Sequence, residues 1–135
     1  MSPESSSPYK PGVCNIGQPE IRVRKIFLRF FIVTSIVLTG CTFFWFQSLI
    51  VWALLLFSSF SLTVLYYQIK YRFCILFGFF NLHNFKQLGQ LEEVKHPEYI
   101  HKDRKRVGEI ILQSLAFSLV YASAIHLIAE KVKLH

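Results

Sequence analysis

Residues 30–69 read FFIVTSIVLTGCTFFWFQSLIVWALLLFSSFSLTVLYYQI, forty residues without one Asp, Glu, Lys or Arg. A continuous helix of that length would run about 60 Å, roughly twice the hydrocarbon thickness of a bilayer. The run must therefore fold back once, as two membrane-spanning helices joined by a tight turn. Downstream, Ile110 to Ala129 is a second uncharged run, long enough for a third crossing.

Composition agrees. Hydrophobic residues make up 53% of 135, Phe alone supplies 14, and the mean hydropathy is +0.39. A soluble domain of this size has too little interior for so much apolar surface, whereas lipid accepts it. The net charge of +7 could suggest nucleic acid, but the basic residues flank the apolar runs, where they set topology and meet anionic lipid. The partners expected are the bilayer and other membrane subunits or a second copy, and no nucleic acid. The fold class expected is an all-α membrane protein: a transmembrane helical hairpin, a third transmembrane helix, a short interfacial segment and a polar cytoplasmic loop. Its parts are a polar N-terminal segment with a CNIG turn (1–25), the hairpin (26–69), an interfacial and basic loop (70–108), and the third helix with its tail (109–135).

The opening MSPESSSPYKPG, with Pro3, Pro8 and Pro11, reads as disordered or extended. No cleaved signal peptide is expected, and the first span reads as its own insertion signal. Thirteen basic residues flank the outer ends of the first two spans and the entry to the third; two, Lys131 and Lys133, follow the third. The positive-inside rule then puts the N-terminus and the 70–108 loop in the cytoplasm. A re-entrant third segment is the alternative, which would leave both termini inside. Phe43, Phe44, Trp45 and Phe46 read as an aromatic belt at the first turn, and Arg29 as a snorkelling anchor.

The segment Pro11 to Ile21 reads as a turn followed by a helix start. Gly12 and Gly17 permit positive φ, Pro19 suits a first helical turn, and Glu20 suits the positive helix end. Cys14 precedes span one and Cys74 follows span two, so the hairpin returns both to one membrane face. Two readings stand: structural thiols, or a soft-metal or dithiol site of Cys14 and Cys74 joined by His83, His96 or His101. No standard zinc spacing and no C-x-x-C occurs. Between Phe73 and Phe85 lie thirteen uncharged residues, too short to span. They fit an interfacial segment with Asn81, His83 and Asn84 toward water, or a cap folded back on the CNIG turn.

Further along, Lys102, Arg104, Lys105 and Arg106 form a basic run that suits anionic lipid or the topogenic flank of the next span. Ser114, Ser118, Ala122 and His126 recur every four residues on one helix face, a spacing that permits close helix approach. Ser35, Thr39 and Gly40, with Ser59 and Thr63, are natural counterparts, and His126 reads as an interhelical hydrogen-bonder or a proton or haem site.

The string C-N-I-G-x-x-E-I-x-x-R, from Cys14 to Arg24, resembles the opening of a family of small bacterial membrane proteins without an assigned function. The resemblance extends to Tyr71-Arg72-Phe73-Cys74, Gly78, Asn81, Phe85 and Asp103 to Arg106. It implies a bacterial inner-membrane setting and that the CNIG and RFC segments matter together; it implies no activity.

There is no G-x-x-x-x-G-K, H-E-x-x-H or G-x-S-x-G, and the eight acidic residues all lie outside the apolar runs. The chain therefore reads as non-catalytic and needs no cofactor. The expected function is an accessory subunit or assembly factor of a larger membrane complex. A thiol- or metal-dependent protein built on Cys14 and Cys74, and a homo-oligomeric channel or carrier, are the alternatives.

Overall fold

The computed structural model describes residues 9–44 and 48–134. Its elements are α1 (Gln18–Phe44), α2 (Leu49–Tyr71), α3 (Ile75–Phe80), β1 (Leu82–His83), β2 (Glu92–Glu93) and α4 (Pro97–Lys133). Three of these, α1, α2 and α4, are long and apolar enough to cross a membrane. The chain is a helical integral membrane protein, as its uncharged runs require.

Two compact units emerge: Met1–Lys25 with Tyr67–Ile110, and Ile26–Tyr66 with Ile111–His135. In the second, the residues hidden from the surroundings are mostly small or hydroxylic. Ser35, Thr42, Ser58, Ser59, Thr63, Ser114, Ser118, Ala122 and Ala129 are buried. Phe30, Ile36, Leu49, Phe57, Leu112 and Val120 are exposed. Such an arrangement inverts a soluble protein and suits lipid, where helix association comes from close packing of small residues rather than from hiding large ones.

Side-chain hydrogen bonds tie helices within this unit. The Ser35 and Ser58 hydroxyls join α1 to α2 at 2.8 Å, and those of Thr39 and Tyr121 join α1 to α4 at 2.9 Å. Other hydroxyls on the expected seam turn back on their own helix. Ser59 donates to the Leu56 carbonyl, Thr63 to those of Ser59 and Phe60, and Ser118 to that of Leu115. Ser114, Ser118 and Ala122 are buried and His126 is half-buried. Gly40 is not where helices approach closely, since a Cβ there would meet nothing within 4 Å. At the start of α2, Ser48 Oγ accepts from the Val51 N–H at 3.2 Å, an N-cap that satisfies one of the helix's orphan donors. Phe44 is exposed; Trp45 and Phe46 of the expected belt lie outside the described residues, as do Pro3 and Pro8.

The first unit departs from the expected loop. α4 begins at Pro97, so the basic run is helical and the last helix is 37 residues long. Pro97 is the helix's first residue. Its missing N–H and fixed φ cost nothing there, and Glu98 meets the positive end. The uncharged stretch before it folds as α3 followed by the first strand of a two-residue antiparallel pair, Leu82 facing Glu93 and His83 facing Glu92. Of the two glycines expected at positive φ, Gly12 has it, at +68°. Gly17 is needed for another reason: a Cβ there would lie 3.1 Å from the Phe85 Cα.

Candidate functional site

The first unit is held by a polar lock that the N-terminal segment builds with four other pieces of chain. Lys10 to Cys14 forms a tight turn, in which the Val13 and Cys14 N–H groups donate to the Lys10 carbonyl. The chain then runs alongside two segments at once. The Asn15 and Ile16 N–H groups donate to the Arg72 carbonyl at 3.1 and 3.3 Å, and the Gly17 N–H donates to the Asn84 carbonyl at 2.8 Å. Asn84 N–H returns to the Asn15 carbonyl at 2.9 Å. The CNIG and RFC segments are therefore bonded to each other, and the 73–85 stretch is the cap folded back on CNIG. Asn84, expected toward water, is buried and bonds through its side chain to Glu20 and to the Gln87 carbonyl.

Glu20 also accepts from Arg24 at 2.8 Å, and Arg24 Nε donates to Gln68 Oε1 at 2.9 Å. The start of α1 is thereby tied to the end of α2. Beneath this layer Ile16, Ile21 and Cys74 form one apolar cluster, while Phe73, Val107 and Ile110 form another.

At the other end of the lock stands Asp103, a carboxylate with 0% exposure. It accepts from the Tyr9 hydroxyl at 2.7 Å and from the Gly12 N–H at 2.6 Å. Asp103 lies in the charged first turns of α4, ahead of the uncharged run. Burial pushes its carboxyl above the usual range, while the Gly12 and Tyr9 donors and the nearby His83 pull it down. Burial and the Asp103 carboxylate both push the Tyr9 phenol up. Beside Asp103, Arg106 donates to the Gly12 carbonyl at 2.7 Å, pairs with Glu109 at 3.0 Å and lies over the Tyr71 ring.

His83 stacks on Tyr9, ring centroids 4.7 Å apart. Its Nδ1 is buried with no hydrogen-bond partner among the described residues, and its Nε2 is 3.9 Å from the Glu92 carboxylate, beyond hydrogen-bond length. Burial lowers its pKa, against the raising pull of Glu92 and Asp103.

Arg72 carries backbone strain. Its φ is +52°, a left-handed conformation costing about 1–2 kcal/mol for a residue with a Cβ. The lock imposes it: the Arg72 carbonyl accepts twice from the CNIG segment while its N–H donates to Ile69.

The sequence-predicted residues divide accordingly. Cys14 is half-buried, its Sγ 3.8 Å from the Ile16 carbonyl, and Cys74 is buried against Ile16 and Ile21; both are free thiols. Among the described residues no three His, Cys, Asp or Glu side chains, Cys14, Cys74 and His83 included, gather as a group that could hold a metal ion. Lys102, Arg104 and Lys105 are exposed, whereas Arg106 is turned inward. The residues missed as a group are Tyr9, Asn15, Gln68 and Asp103, polar side chains whose partners lie far away in sequence. Chemically the site is a scaffold of mostly hydrogen-bonded polar groups around one buried carboxylate, with Asn81 Oδ1 and His83 Nδ1 buried and without a hydrogen-bond partner among the described residues. Compared with models of protein families, with curated proteins and with solved structures, the chain matches none.

Proposed function

We propose that this protein is a non-catalytic accessory subunit or assembly factor of a larger bacterial inner-membrane complex, with its polar unit in the cytoplasm. One observation carries the reading. The ionisable side chains of the lock are spent on holding segments together, and the spans present large apolar side chains outward around a small-residue interior. Such a molecule offers a rigid head and a broad lipid-side perimeter on which another membrane subunit can dock. Kinship with the small bacterial membrane proteins that share the CNIG and RFC segments is part of this proposal. The mutual bonding of those segments supports it.

Charge supports the orientation. Twelve of the fifteen basic residues belong to the first unit, and Arg29, Lys131 and Lys133 are the other three. By the positive-inside rule that unit faces the cytoplasm. Cysteines introduced at Gln90 and Ser48 should label from the cytoplasmic and opposite sides respectively. Labelling of both from one side would defeat the orientation.

Partner docking is tested by photo-crosslinking from the outward positions Phe57 and Val120 in cells. A defined heterologous band supports the subunit reading, a band between copies favours a homo-oligomeric channel or carrier, and lipid adducts alone overturn both.

A further inference from the structure

The short helix α3 has two unlike sides. Its inner side is committed to the lock: Ile75 packs on the Phe73, Val107 and Ile110 cluster, and Phe77 on that of Ile16, Ile21 and Cys74. Gly78 is buried so tightly that a Cβ there would lie 2.7 Å from the Phe73 ring and 2.8 Å from Val107. The outer side carries Leu76, Phe79 and Phe80, neighbours on one helix face by their three- and four-residue spacing. These three are 61%, 59% and 61% exposed. We infer that this outer face is an interfacial wedge, set among the glycerol groups and upper acyl carbons of the leaflet at which α2 ends.

Three observations meet here. The first is that the face is pinned outward. At the N-cap of α3 both backbone groups of Cys74 are bonded to the Asn15 side chain. At its C-cap Asn81 is left-handed, its N–H donating to the Phe77 carbonyl and its carbonyl accepting from the Val94 N–H at 2.7 Å. Turning α3 to hide Leu76, Phe79 and Phe80 would break these bonds and pull Gly78 from the only kind of space it fits. The second is depth. α2 closes in a helix-end turn, in which the Arg72 N–H donates to the Ile69 carbonyl and the Phe73 N–H to that of Gln68. Phe73 is thus bonded to the last turns of the span, where the forty-residue uncharged run stops at Ile69, and α3 begins two residues later. That is the level at which a span meets headgroups. The third is chemistry. α3 reads ILFGFF, with no side-chain donor or acceptor to orient a protein partner.

Lipid is present at that depth without any association having to form. Three large apolar side chains held out together make a costly patch in water, whereas the boundary between headgroups and acyl chains accepts them, as it does the apolar face of an interfacial helix. The 73–85 stretch is therefore a cap on its inner side and an anchor on its outer side. The wedge needs no partner subunit and stands apart from the docking reading.

The test places tryptophan at three outer positions in turn, Leu76→Trp, Phe79→Trp and Phe80→Trp, in the full chain carrying Trp45→Phe and Trp52→Phe. Each protein is reconstituted alone in phosphatidylcholine nanodiscs, and its fluorescence is quenched from either side. Lipids brominated high on the acyl chain should quench each tryptophan at least twofold more than lipids brominated near the chain end. Aqueous iodide should quench each at least fivefold less than it quenches Gln90→Trp in the polar loop. The three positions are read independently, so a variant that fails to fold leaves the other two to decide. Iodide quenching equal to that of Gln90→Trp overturns the wedge, because the face then stands in water. Protection from both quenchers also overturns it and makes the face a contact between copies. Strongest quenching from the chain-end bromines overturns the shallow placement.

Discussion

Asn15 and Cys74 are joined by two reciprocal hydrogen bonds across 59 residues of chain: Asn15 Nδ2 donates to the Cys74 carbonyl at 3.1 Å, and the Cys74 N–H donates to Asn15 Oδ1 at 2.6 Å. One amide side chain thus satisfies both backbone groups of a buried residue at the N-cap of α3. The cysteine's sulfur has no part in the pair.

Replacing Asn15 with Leu should therefore be worse than replacing Cys74 with Ala. The first leaves the buried Cys74 N–H without its partner, at about 1–3 kcal/mol, while the Cys74 carbonyl keeps the Gly78 N–H at 2.9 Å. The second trims a small apolar side chain against Ile16 and Ile21 and should cost roughly 1 kcal/mol. Thermal unfolding in detergent reads the difference. Comparable losses would mean that the thiol, not the amide, holds the RFC segment.

Acid should act on the first unit in two opposed ways. The Asp103 carboxyl is held above its ordinary range, chiefly by burial, so the folded state keeps this proton more tightly than the unfolded chain. Its contribution is complete below the ordinary Asp value of about 3.9 and is lost as pH rises through the raised value. His83 runs the other way: burial depresses its pKa, so its contribution is complete above about 6.5 and is lost as pH falls through the depressed value. Melting curves from pH 4 to 8 should show Asp103→Asn at its best, relative to wild type, near neutrality, and losing ground toward pH 4. His83→Gln should gain ground over the wild type as pH falls below about 6.5. Parallel curves for all three proteins would refute both assignments.

The seam on α4 predicts a steric asymmetry. Ser118 and Ala122 are fully buried and Leu119 is exposed. Ser118→Leu or Ala122→Leu forces a branched side chain into a closed space and should cost about 1–3 kcal/mol, whereas Leu119→Ile should change the melting temperature little. Equal responses at the three sites would make the four-residue repeat accidental.

The spans were legible because lipid imposes a one-dimensional rule: enough consecutive uncharged residues must be a helix, and forty of them must be two. Even the CNIG–RFC pairing could be read, since a hairpin returns its two ends together. The lock was harder. Tyr9 and Asp103 are 94 residues apart, and an Asp inside His101 to Arg106 reads as one more surface charge until a tertiary partner is known. Gly17 shows the same limit. Its need for no side chain arises from the backbone of Phe85, not from its own φ, and no local pattern carries that information. Pro97 differs, because Pro followed by Glu is itself a helix-start signal, and the sequence held it.

The thiols supply the remaining test. Cys74 is 2% exposed within the Ile16 and Ile21 cluster, while Cys14 is half-buried. A water-soluble maleimide, applied to the folded protein in a Cys41→Ser background, should modify Cys14 at least tenfold faster than Cys74. Guanidinium should abolish the difference, because it opens both the Asn15 bonds and the apolar cluster around Cys74. Asn15→Leu should then expose Cys74 without denaturant, through local opening of the RFC segment while the spans stay helical by circular dichroism. Fast modification of Cys74 in the folded wild type would mean that the lock is open in solution. A Cys74 that stays protected in Asn15→Leu would mean that the apolar cluster, and not the paired amide, closes it.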